Sequence, residues 1–148
     1  MFAPKQILVP TDFSEYSDRA IREAIDIAKQ FGAKIYLLHV INIVHQCSVD
    51  YCMDSALVDQ LEKQSEERTK SMFREELDRI SGSKSVDITT GTAMGLAYEE
   101  ILNEQQKKSV DLIVIASHGK TGLLHHLMGS VADKVLKSAK CPVLLVRG

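Results

Sequence analysis

The stretch Asp111-Leu112-Ile113-Val114-Ile115-Ala116-Ser117-His118-Gly119 decides the architecture. Leu112 to Ile115 are large and apolar, three of them β-branched. So short a run, bounded by polar residues and a glycine, predicts a strand over 111–116 covered on both faces. A loop over 117–128 leaves it and enters a helix over 129–139, with Val131, Ala132, Val135, Leu136 and Ala139 on one side. A last apolar strand follows over 142–146.

The same alternation extends to the N-terminus. Ile7-Leu8-Val9 mark a buried strand over 6–10. A helix is expected over 14–31, with Ser14 as N-cap, Glu15 and Asp18 in its first turns and Gly32 as its stop. Ile35-Tyr36-Leu37-Leu38 give a second buried strand over 34–41. Residues 42–54 carry no period and read as loop. A long charged helix spans 55–80, its apolar side formed by Leu57, Leu61, Met72, Phe73, Leu77 and Ile80. Its charge run, 62–79, reads as a solvated face. An alternating third strand is expected over 86–90 and a third helix over 96–108. Five strands separated by helices predict an α/β domain, an open parallel sheet with right-handed crossovers. No repeat or linker divides residues 1–148, so one domain is expected.

Composition narrows the function. The 18 basic and 20 acidic residues leave a net charge of −2, with no general pull toward nucleic acid or an anionic membrane. No apolar run approaches the roughly 20 residues of a membrane span, and no secretory signal is apparent. Three cysteines form no regular framework, which suits reduced thiols and a cytoplasmic setting. His45, Cys47 and Cys52 lack a fourth ligand and the usual zinc spacing, and His125 and His126 read as solvated loop residues. His39, in an apolar strand end, reads as a hydrogen-bonded structural histidine.

Chemistry concentrates between Ala116 and Ser130. Gly129-Ser130 opens a helix, where free backbone N–H groups and a partial positive charge suit an anion, and a serine adds a hydroxyl donor. The same pair is equally a simple helix start and cap. Gly119-Lys120-Thr121 does not end a phosphate loop of the G-x-x-x-x-G-K-[ST] kind, because Val114 stands where that motif needs glycine. The dinucleotide fingerprint G-x-G-x-x-G is also missing, since the first turn reads Pro10-Thr11-Asp12-Phe13-Ser14.

Ala116-x2-Gly119-x9-Gly129-Ser130 resembles the G-x2-G-x9-G-[ST] motif of nucleotide-binding universal stress proteins, with alanine for the first glycine. Ile7 to Asp12, Gly32-Ala33-Lys34, Leu38-His39-Val40, Ser117-His118-Gly119, Gly129-Ser130-Val131-Ala132 and Cys141-Pro142-Val143 resemble the family along the whole chain. The resemblance implies strand order 3-2-1-4-5, helices on both faces, and a ligand crevice where the order reverses. It places Pro10, Thr11, Asp12 and Val40 at the adenosine end of a bound ATP or AMP. Ala116, His118 and Gly119 would follow the ribose and first phosphate, and Gly129, Ser130 and Val131 the outer phosphates, with Ser130 near any nucleotide-bound Mg. Asp12 would repel phosphate, so it suits the sugar or base; its other reading is a charge at a helix start. The Cβ of Ala116 disfavours positive φ and crowds a ribose. A homodimer through residues 142–147 is also implied, acting as a stress-signalling module. A slow ATP hydrolase and a nucleotide-free dimer are the competing readings. The loop 120–128 is expected to order on ligand binding.

Overall fold

The computed structural model describes residues 1–42, 55–120 and 127–148. Its elements are β1 (Gln6–Pro10), α1 (Glu15–Phe31), β2 (Lys34–Ile41), α2 (Ser55–Arg79), β3 (Ile88–Met94), α3 (Ala97–Lys107), β4 (Leu112–Ala116), α4 (Ser130–Ser138) and β5 (Val143–Val146). The strands form one sheet in the order β3-β2-β1-β4-β5, every pair parallel. This is the expected α/β architecture. The order reverses between β1 and β4, so the loops leaving these two strands diverge to opposite faces and leave a crevice between them.

The sheet separates two apolar layers. On one face Ile7, Val9, Ile35, Leu37, Leu112 and Val114 pack against α1 and the end of α2. On the other, Leu8, Leu38, Ile113 and Ile115 pack against α3 and α4 through Ile101, Ala132 and Val135. Fully burying each large aliphatic chain contributes roughly 1.5–3 kcal/mol, which is why the central strands are solidly apolar. Ala20, Ala24 and Ala28 give α1 a thin stripe that lets Ile21 and Ile25 reach the sheet. Ser14 caps α1 by accepting the Ser17 N–H, and Gly32 ends it in the left-handed region at φ 68°. Asp111 ties β4 to the start of β1 by accepting the N–H groups of Lys5 and Gln6.

Three local expectations need correction. β3 runs over Ile88–Met94 rather than 86–90, in register with β2 from Ile35↔Ile88 to Ile41↔Met94. An edge strand is held by backbone hydrogen bonds on one side, so Gly91-Thr92-Ala93 can lie in it without an apolar signal. The apolar side expected for α2 holds only toward its C-terminal end: Phe73 and, just past the helix, Ile80 are buried, whereas Leu57 and Leu61 are exposed. The charge run of α2 is also not wholly solvated, because Glu76 has 0% exposure. His45, Cys47, Cys52, His125 and His126, and all but Lys120, Leu127 and Met128 of the 120–128 loop, lie outside the described residues.

Gly32 isolates a purely conformational contribution, since a Cβ there would meet no atom within 4 Å. Gly32→Ala should lower stability by about 1 kcal/mol through the left-handed φ alone. Urea denaturation checks this; an unchanged midpoint would contradict it.

Candidate functional site

At the carboxyl ends of β1 and β4 lies a cleft of about 310 Å³. That volume is at the lower end of small-molecule sites, which run from roughly 300 to 1,000 Å³. Pro10, Thr11, Asp12, Val40, Ala116, His118, Gly119, Gly129, Ser130 and Val131 all line it. Ser17, His39, Ala97 and Ile101 line it too and were not expected from the sequence. Ser17 and Ile101 sit on amphipathic helices whose periodicity registers burial but not a crevice. His39 fits its expected structural role: its Nδ1 lies 2.9 Å from the Thr11 carbonyl oxygen, which makes it the donor.

Asp12 joins the two walls. Its Oδ1 accepts the Ser14 N–H at 3.0 Å and the Ser17 hydroxyl at 3.2 Å, both on the α1 side. Its Oδ2 accepts the Lys120 N–H at 2.8 Å, from the loop after β4. The helix-start reading of Asp12 is thus realised together with a cross-link 108 residues long in sequence. The turn that presents it has Phe13 at φ 62°, a conformation glycine would normally supply. The Phe13 N–H donates to the Thr11 hydroxyl, and its ring packs on His39 and Phe73, which holds the turn.

The glycines of the motif serve space rather than φ. A Cβ on Gly119 would lie 2.7 Å from Asp12 Oδ2, so glycine allows the carboxylate to reach the loop. Gly129 has φ −61°, open to any residue, but a Cβ would stand 3.2 Å from the Ser117 carbonyl oxygen. Ala116 is an extended β4 residue paired with Val146, and its φ is not positive. The replacement of glycine there costs no backbone strain.

The start of α4 forms the opposite wall. Gly129, not Ser130, is the N-cap, and its N–H donates to Ser117 O at 2.7 Å. That amide is occupied, so the donors available to an anion are the N–H groups of Ser130, Val131 and Ala132. None of these has a backbone acceptor among the described residues, as expected in a first helical turn. His118 lies beside them, with Nδ1 2.8 Å from the Ser117 hydroxyl and Nε2 buried without a partner among the described residues.

Beneath Asp12 is an unforeseen acid. Glu76 Oε1 accepts the Thr11 hydroxyl at 2.6 Å, while Oε2 has no hydrogen-bond partner among the described residues. Arg79 engages Asp18 rather than Glu76, with Nη2 to Oδ1 at 3.1 Å and Nε to Oδ2 at 3.3 Å. Burial, reinforced by Asp18 and opposed by the Thr11 hydrogen bond and Arg79, pushes the Glu76 carboxyl up from 4.5 to about 7.

Similarity to known proteins bears on the family and the fold. The model described as "Universal stress protein family" matches residues 4–147. One universal stress protein of Methanocaldococcus jannaschii is 36% identical, covering 97% of this chain and 82% of the relative. A second from that organism is 31% identical, covering 97% and 94%. Its solved structure superposes with a TM-score of 0.81 at 30% identity, over 97% and 96% of the two chains. A universal stress protein solved in complex with cAMP superposes with a TM-score of 0.72 at 23% identity, over 99% and 98%.

Two outcomes follow from the bonds around Asp12 and Glu76. Gly119→Ala should displace the Asp12 carboxylate, break its bond to the Lys120 N–H and cost about 1–3 kcal/mol; equilibrium unfolding measures it, and wild-type stability would contradict the contact. Glu76 binds its proton more tightly folded than unfolded, so its stabilising contribution is complete below pH 4.5 and is lost as pH rises through about 7. Glu76→Gln should therefore gain on wild type by on the order of 1–3 kcal/mol between pH 5 and 8, since one pKa unit is ~1.4 kcal/mol. Melting curves across that range check this, and parallel curves would refute it.

Proposed function

The chain belongs to the universal stress protein family, and on that premise we propose that it is an adenine-nucleotide-binding regulatory protein of the stress response, acting in the cytoplasm as a homodimer. The carrying observation is the pairing of opposite walls in one cleft. Amides of Ser130, Val131 and Ala132 that have no acceptor among the described residues lie on one side and the Asp12 carboxylate on the other. Phosphate suits the amides, where the helix start carries partial positive charge. The orphaned Nε2 of His118 adds a polar group on that side. A carboxylate offers about four lone-pair positions, of which Asp12 uses three among the described residues, and the fourth suits a ribose or base donor. The cAMP complex at 23% identity bears on the fold alone, so the nucleotide reading rests on this cleft.

ATP or AMP enters with its adenosine against Pro10, Thr11, Asp12 and Val40 and its phosphates toward Ser130 and Val131. The described residues contain no cluster of three His, Cys, Asp or Glu that could hold a metal. Mg would therefore arrive on the nucleotide, with the Ser130 hydroxyl the group available to it. No helix among the described residues is long and apolar enough to cross a membrane. Dimerisation through 142–147 is supported by β5 being an edge strand with Leu144 exposed, an edge that needs cover.

Calorimetric titration of ATP, AMP and adenosine tests the reading. Ser130→Ala should weaken ATP by on the order of 10–100-fold, as one charged hydrogen bond of roughly 1.5–3 kcal/mol is lost, and leave adenosine unchanged. Asp12→Ala should weaken both. Gly129→Asp should abolish ATP binding through bulk and like charge; its Cβ, 3.2 Å from the Ser117 carbonyl oxygen, should lower stability, while Asp as a good N-cap keeps the helix start, so a melting curve is recorded beside the titration. Full ATP affinity in folded Gly129→Asp would remove phosphate from this helix start. Phosphate release measured with stoichiometric protein separates a binder from a hydrolase. Light scattering of Leu144→Lys at micromolar concentration should give monomer where wild type gives dimer; a wild-type monomer would refute the pairing.

A further inference from the structure

The described residues hold one carboxyl that is fully buried and touches no ligand-facing surface, Glu76. It is linked to the cleft by an unbroken line of hydroxyls. Thr11 Oγ1 is 2.6 Å from Glu76 Oε1 and 3.0 Å from Ser17 Oγ, and the one Ser17 hydroxyl proton is shared between the Ser14 carbonyl oxygen at 2.9 Å and Asp12 Oδ1 at 3.2 Å. The Thr11 hydroxyl has one proton and two acceptors within reach, so only one of these bonds exists at a time. With Glu76 ionised, Thr11 donates to it. With Glu76 protonated, the acid donates to Thr11, and Thr11 turns to donate to Ser17. The second lone pair of Thr11 accepts the Phe13 N–H in either state.

We propose that Glu76 is a positioning residue for the cleft, acting on Asp12 through the hydroxyls of Thr11 and Ser17, so that its proton sets how strongly Asp12 accepts from a ligand. The inference rests on the nucleotide reading for the identity of that ligand. Donation running from Glu76 toward Ser17 makes the Ser17 hydroxyl a stronger donor, which tightens its bond to Oδ1 when its proton turns there rather than to the Ser14 carbonyl oxygen, and weakens the remaining acceptor position. Ionisation of Glu76 withdraws that polarisation and adds a negative charge behind the chain, which strengthens Asp12 as an acceptor. Adenosine should therefore bind more tightly on the alkaline side of the Glu76 midpoint.

The surroundings favour such a titration at ordinary pH. Asp18 on α1 faces Glu76 as a like charge, and Arg79 on α2 is paired to Asp18. From β2, His39 meets the Thr11 carbonyl rather than its hydroxyl. His118 borders the cleft but joins Ser117, outside the chain of hydroxyls.

The test follows carboxyl ¹³C shifts of Glu76 and Asp12 in ligand-free protein from pH 5 to 9. Asp12 should show a step at the Glu76 midpoint. Glu76→Gln should remove that step, and Thr11→Val should remove it while Glu76 continues to titrate. An Asp12 signal that stays flat while Glu76 titrates would overturn the proposal. So would a step that survives in Glu76→Gln, which would assign it to a group other than Glu76. Adenosine titration adds the functional readout, because adenosine keeps one protonation state between about pH 6 and 8. Wild-type affinity should rise several-fold from pH 6 to 8, and Glu76→Gln should flatten the profile. Adenosine that fails to bind at any pH would refute the nucleotide reading, while the carboxyl titrations would still decide the relay.

Discussion

The Asp12 carboxylate is the joint on which the cleft depends. A doubly wound sheet opens a crevice where its strand order reverses, but nothing in the sheet fixes the width of that crevice. Here one carboxylate spans it, holding Ser14 and Ser17 with one oxygen and Lys120 with the other. Several features serve that span. Phe13 takes a left-handed conformation to aim the turn, Gly119 leaves room for the oxygen, and Thr11 and Glu76 support the turn from below.

The wall opposite is fixed differently. Gly129 N–H bonds to Ser117 O, so the start of α4 is stitched to the end of β4. That bond occupies the first amide and leaves the next three without a backbone acceptor among the described residues. A helix start always has orphaned N–H groups; what makes these a candidate site is their position across from a carboxylate in the same cleft. The two walls thus differ in sign, and a molecule with an anionic end and a neutral hydrogen-bonding end suits both.

Buried carboxyl groups are uncommon because desolvation disfavours their charge. Glu76 is retained at the point where α2, α1 and the β1 turn meet. An apolar residue of that size would fill the space but would leave the Thr11 hydroxyl to Ser17 alone. The acid instead gives the turn a partner whose hydrogen-bond direction depends on a proton. Stability and ligand recognition then meet in one group, the former favoured by its neutral form and the latter by its ionised form.

The sequence by itself determined the α/β class, the capping of α1 by Ser14 and Gly32, and the buried character of β1, β2 and β4; the cleft residues it pointed to came through the glycine spacing and the family resemblance that spacing carries, and Ser17, Ala97 and Ile101 were not among them. The features so determined are legible because each carries a local signal: apolar runs, a cap residue, or glycine at fixed spacing. Strand order entered through resemblance to a family, and the sheet agrees with it. Only the tertiary structure decided the extent of β3, whose edge position rests on backbone bonds that leave no mark on hydropathy. It alone moved the N-cap from Ser130 to Gly129 and removed one amide from the expected anion site. It alone took Glu76 out of a charged helical run and buried it against Thr11, 65 residues away in the chain. Period and composition describe which face of an element is apolar; they do not say which polar side chain on that element will meet a partner brought to it by the fold.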